Sequence, residues 1–321
     1  MLTIQPEMSP TEKPVRIGLV GCGRLAEFGY IPALRRAPGV TLAGIADIDA
    51  SRCRLLAPET PCYDNLQSLI QAKEIDALIV AVPTRFHLEY ARCAAEAGIP
   101  SLVEKPPGVD TKEAAALLSL TPTPWIGFNR RFEEGVMALK ERFPDGQGFQ
   151  LRLELQYRRT TWKPFDMHDD ALLDLGPHLI DLARWLTASE VCSVRVQSLG
   201  ERHAEFELGL RGGQAVVACS TNRPYRERIE IRDTHDGRLL ASYRRGGIVS
   251  GIMARLRPNS VNPLVSSLTL ELEAFARAVR GDPSGCLASA ADGLAVMSTI
   301  EAVRRSAAGA GVPISLTEGP I

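Results

Sequence analysis

A short apolar strand that runs directly into a glycine-rich turn restricts the fold of this chain more than any other feature. The strand covers residues 15–20, and the turn reads Gly21-Cys22-Gly23-Arg24-Leu25-Ala26. Glycines in such a turn let the backbone bend sharply and approach a pyrophosphate, whose charge is stabilised by the exposed N–H groups of the following helix. The turn residues expected at a dinucleotide site are Gly21, Gly23, Arg24 and Leu25.

Strands and helices alternate strictly after this turn. A second strand ends at Asp47, and apolar strands follow at 75–82 and 99–104, with helical segments between them. The continuous apolar strand at 75–82 is typical of a parallel sheet that is buried on both faces. Glycine-rich turns are common, so the turn alone is weak evidence for a nucleotide-binding fold. Together with the alternation of strands and helices, it predicts an α/β fold that begins with a doubly wound Rossmann domain over residues 15–125.

The acid at the end of the second strand bears on the choice of cofactor. Asp47 is placed to accept hydrogen bonds from the adenosine ribose hydroxyls, and its charge would repel a 2′-phosphate, so NAD is favoured over NADP. Arg52 and Arg54 follow closely enough to reach a phosphate, which leaves NADP open. The alternative role for Asp47 is a helix N-cap, because Asp49 and Ser51 indicate that a helix begins nearby.

Two further strand ends are expected at the cofactor crevice, since the carboxyl ends of parallel strands face it. The candidates are Pro83, Thr84 and His87 after one strand, and Glu104 and Lys105 after the other. We expect Lys105 to reach the nicotinamide edge of the cofactor. Taken alone, a lysine that closes a strand is more often a surface residue.

The pattern changes near residue 125. Turn signals at Arg211-Gly212-Gly213 and His235-Asp236-Gly237 indicate β-hairpins. The expected strands are 149–159, 191–199, 204–210, 214–220, 226–232 and 238–243, with helices near 171–187 and from 268 onward. This order predicts a second domain over residues 126–321, with α+β architecture and a largely antiparallel open sheet. Residues 1–14 are expected to form a flexible tail.

Composition excludes several classes of protein. A net charge of −1 over 321 residues argues against a nucleic-acid partner. The seven cysteines are scattered and form no close Cys/His group, which indicates reduced thiols and no structural metal. No apolar run approaches transmembrane length, and the first residues lack the pattern of a signal peptide. We expect a cytoplasmic protein with no membrane partner.

One apolar helix carries an unexpected set of polar residues. The segment 171–186 is apolar nearly all round, which predicts burial. Asp174, His178 and Asp181 nevertheless recur at spacings of four and three, which in a continuous helix places them on one face. Burying them is costly unless they pair or meet a polar ligand. Pro177 leaves open whether the helix begins there, and a core histidine held by two carboxylates is the alternative to a functional site.

The chain resembles the Gfo/Idh/MocA family, which is named after glucose-fructose oxidoreductase, inositol dehydrogenase and rhizopine-catabolism proteins. The resemblance covers nearly the whole chain from residue 15. Its motifs are Gly21-Cys22-Gly23-Arg24-Leu25-Ala26, the strand end at Asp47, Glu104-Lys105-Pro106, Gly127-Phe128-Asn129-Arg130-Arg131-Phe132, and Asp174-Leu175-Gly176-Pro177-His178-Leu179-Ile180-Asp181. The second proline, Pro107, departs from the apolar residue that is more usual in the family.

The resemblance implies an NAD(P)-dependent oxidoreductase that transfers a hydride between nicotinamide and a secondary hydroxyl or ketone of a sugar, cyclitol or nucleotide sugar. It implies that Lys105, Asp174 and His178 hold the reacting hydroxyl, that the Lys105-Pro106 bond is cis, and that copies pair as homodimers or homotetramers through the second sheet. Two alternatives stay open: an NAD-dependent glycosidase that uses transient oxidation, and a ligand-sensing regulator without catalysis.

The chemistry of these residue types agrees with such roles. His178, titrating near neutrality, would take or return the hydroxyl proton. Lys105 would donate a hydrogen bond to the same oxygen and stabilise the developing alkoxide. Asp174 would orient the imidazole or bind a neighbouring hydroxyl, with Asp181 behind it. The sequence leaves open whether His178 or Lys105 transfers the proton.

Substrate contacts are expected from polar residues at the start of the second domain. The candidates are Asn129, Arg130, Arg131, Tyr157, Trp162 and Lys163, together with Asp174, His178 and Asp181. Arginine can bind hydroxyls, a carboxylate or a phosphate. The alternative for Arg130 and Arg131 is one solvated side chain and one structural ion pair.

Overall fold

The computed structural model describes residues 13–143, 148–158, 169–246, 262–283 and 285–316. The described strands are β1 Val15–Val20, β2 Val40–Ala46, β3 Cys62–Tyr63, β4 Ala77–Val80, β5 Ser101–Glu104, β6 Trp125–Gly127, β7 Phe149–Arg158, β8 Val191–Gly200, β9 His203–Leu210, β10 Gly213–Ser220, β11 Asn222–Asp233, β12 Leu239–Gly246, β13 Ala288–Ser289 and β14 Ile314–Ser315. The described α-helices are α1 Ile31–Leu34, α2 Ala50–Leu56, α3 Leu66–Gln71, α4 His87–Glu96, α5 Thr111–Leu118, α6 Glu134–Glu141, α7 Ala171–Thr187, α8 Pro263–Val279 and α9 Ala290–Ala308.

The chain forms two compact units. The first contains the described residues up to Glu104, with 116–129 and 262–290. The second contains the described residues of 105–115, 130–261 and 291–321. This division differs from the single boundary expected near residue 125, because α8 and β13 return to the first unit. A Cβ on Gly29 would lie 2.7 Å from Cδ1 of Leu268, so α8 packs closely there.

The first unit is built on a seven-stranded sheet in the order β13-β6-β5-β4-β1-β2-β3. The strands are parallel except for β13, which pairs antiparallel with β6. Ile17, Leu19, Leu78 and Ile79 are fully buried, and each such aliphatic side chain contributes about 1.5 to 3 kcal/mol to folding. The order reverses between β1 and β4, and ligands bind outside the strand ends at such a reversal. The predicted doubly wound domain is confirmed.

The second unit contains a mixed sheet in the order β12-β11-β7-β10-β9-β8-β14. Neighbouring strands are antiparallel except for β10 and β7, which run parallel. The predicted hairpin turns connect β9 to β10 and β11 to β12. Ala204, Phe206 and Leu208 alternate with less buried neighbours along β9, and the inward side chains form a core with α7. The α+β architecture with a largely antiparallel sheet is confirmed.

The described ranges contain neither a membrane-spanning helix nor a group of metal ligands. None of their helices combines the length and apolar character that crossing a bilayer requires. Within the same ranges, no three His, Cys, Asp or Glu side chains are grouped so that they could hold a metal ion.

Candidate active site

Lys105 and Asp174, which lie 69 residues apart in the sequence, meet in the second unit. The Nζ atom of Lys105 donates a hydrogen bond to the backbone carbonyl of Asp174 at 2.8 Å and lies 3.4 Å from its Oδ1. The lysine side chain is 18% exposed and the aspartate side chain 5%. Lys105 directly follows β5, and the Lys105-Pro106 bond is cis, as expected. The ammonium group is therefore held in place and partly open to solvent.

The carboxylate of Asp174 is held at both of its oxygens. Lys105 approaches Oδ1, and the hydroxyl of Tyr157, near the end of β7, donates a hydrogen bond to Oδ2. Sequence analysis placed Tyr157 among the substrate contacts and expected Asp174 to orient the imidazole or a substrate hydroxyl. The geometry adds a further role for Asp174, which fixes the positions of a lysine and a tyrosine.

The helix that carries Asp174 begins before it. Asp170 caps α7 by accepting a hydrogen bond from the backbone N–H of Leu173 at 2.8 Å. The helix then runs from Ala171 to Thr187 without a break at Pro177, which settles the question that the proline left open. Asp174 and His178 are four residues apart in a continuous helix, so their side chains lie on the same face.

The pKa of the His178 imidazole differs from the value expected from the sequence. Its side chain is buried, and burial lowers the pKa of the imidazole well below the ordinary value. The positive charges of Lys105 and Arg130 lower this pKa further. The expectation that His178 titrates near neutrality is therefore wrong, because the solvation of the charged form is lost inside the protein. At pH 7 the imidazole is neutral and able to accept a proton.

The pH profile of the hydroxyl oxidation that the resemblance implies should reflect this shift. Because the imidazole stays neutral below its ordinary pKa of 6.5, we expect the acid limb of kcat/KM to lie below pH 6.5. Arg130→Gln removes a positive charge that lowers this pKa, so the limb should move to higher pH. The Arg152→Gln variant, which loses an exposed ion pair with Glu205, should leave it in place. A limb at or above pH 6.5 in the unmodified protein would contradict the assignment.

Arg130 is engaged by a buried carboxylate. Its Nη1 atom donates to Oε1 of Glu227 at 2.5 Å, and the hydroxyl of Tyr225 donates to Oε2 of the same glutamate at 3.1 Å. Glu227 has no exposed side-chain surface. Burial, followed by the charge of Glu227, raises the pKa of Tyr225 to about 12. Arg130 thus contributes positive charge near His178 while its own charge is balanced by Glu227.

Sequence analysis missed Glu227, although its pattern carried a signal. Glu227, Ile229 and Ile231 alternate along β11, so period-two spacing puts the glutamate on the buried face with the two isoleucines. A carboxylate on an inward face needs a cation or hydrogen-bond donors. That requirement pointed to a buried partner of the kind that Arg130 supplies.

Arg131 and Asp181, both expected among the substrate contacts, bind each other. The Nε and Nη2 atoms of Arg131 donate to the two carboxylate oxygens of Asp181 at 2.8 and 2.5 Å, and both residues are buried. Asp292 lies 3.4 Å from Arg131 and also accepts a hydrogen bond from Arg184 at 2.9 Å. These contacts correspond to the structural ion pair that was the alternative for one of the two arginines.

Breaking this pair should destabilise the fold. Arg131→Met leaves the carboxylate of Asp181 buried without its bidentate partner, and the free energy of unfolding should fall by about 3 to 5 kcal/mol. The double variant Arg131→Met/Asp181→Leu removes both charges and should recover most of the loss. Urea unfolding followed by circular dichroism measures both. A loss below about 1 kcal/mol in the single variant would contradict a structural role.

The glycine-rich turn of the first unit has the geometry that a bound pyrophosphate requires. Gly21 has a φ of +100°, and a Cβ atom there would lie 2.4 Å from the carbonyl oxygen of Ala81. Glycine is the residue that adopts this conformation without strain. A Cβ on Gly23 would meet no atom within 4 Å, so the space beside the turn is open. The turn lies at the carboxyl end of β1, where the strand order reverses, and its residues fit a dinucleotide.

Asp47 is held by backbone amides at the end of β2. Its Oδ2 accepts a hydrogen bond from the N–H of Cys22 at 2.6 Å, and its Oδ1 accepts one from the N–H of Asp49 at 2.8 Å. The cap of α2 is Asp49, which accepts hydrogen bonds from Ser51 and Arg52. Asp47 is therefore not the helix cap that was its alternative role.

The remaining candidates lie near strand ends of the first unit. Pro83 precedes the 3-10 turn that begins at Thr84, and the ring of His87 is hydrogen-bonded to the carbonyl of Val82 at 2.8 Å.

Three other candidates of the first unit contact neighbouring side chains. Glu104 accepts a hydrogen bond from the Tyr30 hydroxyl at 2.6 Å, and Asn129 donates one to Ser267 at 3.0 Å. The Arg24 guanidinium lies 4.8 Å from the centre of the Phe28 ring. Leu25 precedes the π-helical turn Ala26–Tyr30. Trp162 and Lys163 lie outside the described residues.

A doubly wound sheet with a glycine turn at its reversal point is the architecture of dinucleotide-binding domains. Residues 15–123 match the family described as "Oxidoreductase family, NAD-binding Rossmann fold". This match over residues 15–123 supports the resemblance to the Gfo/Idh/MocA family that the motifs indicated. The expectation of NAD as the cofactor agrees with that description.

Two sequence relatives match this chain over different lengths. A UDP-N-acetylglucosamine 3-dehydrogenase of Acidithiobacillus ferrooxidans is 32% identical over 187 residues, which cover 56% of this chain and 57% of the relative. An inositol 2-dehydrogenase of Pseudomonas fluorescens is 28% identical over 331 residues, which cover 95% of this chain and 98% of the relative. The first match spans little more than half of the relative's length, whereas the second spans nearly all of it.

A solved structure shares the fold along most of the chain. The myo-inositol dehydrogenase of Lactobacillus casei, crystallised with NAD(H) and myo-inositol, superposes with a TM-score of 0.77 at 19% identity. The match covers 96% of this chain and 98% of the other. At this level of identity the similarity establishes the fold.

Proposed function

We propose that this protein is an NAD-dependent dehydrogenase that transfers a hydride between a secondary carbinol carbon of a cyclitol, such as an inositol, and the cofactor. One observation carries the proposal: the Lys105 ammonium is held on Asp174, one helical turn before a buried His178. A cation and a neutral base so arranged suit a hydroxyl that must lose a proton as its carbon loses a hydride. The dehydrogenase relatives support this assignment, and they give no support to a glycosidase or a regulator.

When bound, NAD supplies a hydride acceptor at C4 of its nicotinamide. The protein's own residues bind the cofactor, stabilise charge on the substrate oxygen and accept the proton. The turn at Gly21 and Gly23 would hold the pyrophosphate, and Asp47 would accept hydrogen bonds from the adenosine ribose.

The site residues handle the proton and the charge on oxygen. Lys105 donates a hydrogen bond to the substrate hydroxyl and stabilises the negative charge that develops on it. His178, which is neutral at pH 7, accepts the hydroxyl proton. The carbon–hydrogen bond breaks with its electron pair leaving as hydride, and the oxygen keeps the electrons of its former O–H bond to form the ketone. Asp174 positions the lysine and Tyr157 throughout.

Charge balance favours a neutral substrate. Arg130 is balanced by Glu227 and Arg131 by Asp181, so these two arginines contribute little uncompensated positive charge. A phosphate or carboxylate would need such charge, whereas a polyol needs hydrogen-bond donors and acceptors. Among the described residues, Lys105, Tyr157, Asp174 and His178 supply them. These contacts support a cyclitol over a nucleotide sugar.

A panel of substrates tests the proposal. Myo-inositol, scyllo-inositol, glucose and UDP-N-acetylglucosamine are each incubated with NAD or NADP, and formation of the reduced cofactor is followed by absorbance. We expect reduction of NAD with at least one inositol. Turnover with the nucleotide sugar alone would overturn the cyclitol assignment, and absence of reduction with every compound would overturn the dehydrogenase.

Assembly and location stay predictions. Pairing of copies through the sheet of the second unit is what the family resemblance implies. Light scattering after gel filtration checks the expected homodimer or homotetramer, and cell fractionation checks the expected cytoplasmic location.

A further inference from the structure

One peptide of the glycine-rich turn is held from both sides. The N–H of Cys22 donates to Oδ2 of Asp47 at 2.6 Å. Its carbonyl oxygen accepts hydrogen bonds from Nε and Nη2 of Arg52 at 3.2 and 3.0 Å. Asp47, which is expected to face the ribose, and Arg52 are thus both hydrogen-bonded to the same peptide of the turn.

Arg52 is also paired with a carboxylate. Its Nη2 atom donates to Oε2 of Glu27 at 3.0 Å. The two side chains are 26% and 31% exposed, so solvent screens the pair only in part. Glu27 lies in the π-helical turn directly after the glycines, and Arg52 lies near the start of α2. Glu27 therefore helps to fix Arg52 on Cys22.

The charges around the Cys22 peptide disfavour binding of the 2′-phosphate of NADP. Three carboxylates lie in this region: Asp47 binds the N–H of Cys22, Asp49 accepts a hydrogen bond from the backbone N–H of Arg52, and Glu27 pairs with the Arg52 guanidinium. Hydrogen bonds from Ser51 lower the pKa of Asp49, so this carboxylate is ionised at pH 7. Enzymes that use NADP commonly place an arginine beside the 2′-phosphate. Here the arginine in that region is already neutralised by a glutamate.

We propose that Glu27 is a specificity-determining residue, which keeps the charge of Arg52 away from a 2′-phosphate and so excludes NADP. The mechanism adds to the repulsion by Asp47, because removing Glu27 leaves a cation that can attract the phosphate instead of one that is neutralised. The proposal rests on the dinucleotide site described above. It concerns the cofactor alone and needs no substrate for its test.

The experiment measures the dissociation constants of NADH and NADPH by nicotinamide fluorescence in the full-length protein. Glu27→Gln keeps the size of the side chain and removes its charge. The readout is the ratio of the two affinities, because loss of a negative charge near the pyrophosphate can strengthen both. We expect the ratio to shift toward NADPH by about tenfold. In the double variant Glu27→Gln/Arg52→Met the shift should disappear.

A matched control is available in the same unit. Glu74 pairs with Arg16 at 3.1 Å, and Arg16 lies near the start of β1, whereas the glycine turn follows its end. Glu74→Gln makes the same chemical change and should leave the ratio as it is. An unchanged ratio in Glu27→Gln, or a shift that persists without Arg52, overturns the proposal. Failure of the unmodified protein to bind either dinucleotide would overturn the cofactor site itself, which separates the two failures.

Discussion

Replacing Lys105 with methionine should lower kcat/KM for cyclitol oxidation by about a thousandfold or more. Methionine keeps much of the length of the lysine side chain but has no charge and no hydrogen-bond donor. The ketone forms only if the developing charge on the substrate oxygen is stabilised, and the Lys105 ammonium, held at 2.8 Å from the carbonyl of Asp174, is the group placed to do it. Initial rates of cofactor reduction measure the effect.

The control for this variant is a second lysine with similar bonding. Lys140 donates a hydrogen bond to the carbonyl of Leu186 at 3.3 Å, toward the other end of α7. Lys140→Met also removes an ammonium group that donates to a carbonyl of α7, and it should keep kcat/KM within about threefold of the unmodified protein. NADH should bind to both variants. A Lys105→Met protein that keeps more than about a tenth of the activity would refute the role of the lysine.

Replacing His178 with glutamine should lower kcat by about a hundredfold to ten-thousandfold, the usual contribution of a positioned general base. Glutamine retains polar atoms but cannot take up a proton at pH 7. Because the pKa of His178 is lowered by burial and by two neighbouring cations, the imidazole is in its proton-accepting form throughout the neutral range. The residual activity should therefore show no acid limb in its pH profile.

His203 serves as the comparison for this second variant. It lies exposed at the start of β9, in the same unit, so His203→Gln should leave both kcat and the acid limb unchanged. If His178→Gln loses less than about tenfold in kcat, then another group accepts the proton, and the choice between His178 and Lys105 must be reversed.

The local pattern of apolar runs and turn residues was sufficient to predict the fold of the first unit. The strands β1, β2, β4 and β5 are short apolar runs that end at glycine, acid, proline or lysine, and each boundary lies within about two residues of its expected position. Gly21 was identifiable because the turn needs a residue free to adopt positive φ. The hairpins at Gly212 and Gly237 were identifiable for the same reason.

The pairing of Lys105 with Asp174 followed from the family resemblance, because the spacing of residues so far apart in sequence carries no geometric information. Other features depend on tertiary placement and were not accessible. The return of α8 to the first unit and the parallel pairing of β10 with β7 join distant segments. The low pKa of His178 results from burial, which the apolar pattern of its helix indicated, and from the nearby charges of Lys105 and Arg130, which a local pattern does not reveal.

The most direct test of the central claim follows the hydrogen itself. Myo-inositol carrying deuterium on its ring carbons is incubated with NAD and the protein, and the reduced cofactor is analysed by mass spectrometry. Removal of a hydride from a carbinol carbon predicts reduced cofactor that is one mass unit heavier, formed about a thousandfold more slowly with Lys105→Met. Reduced cofactor without deuterium, or no reduced cofactor with any inositol, would contradict the account.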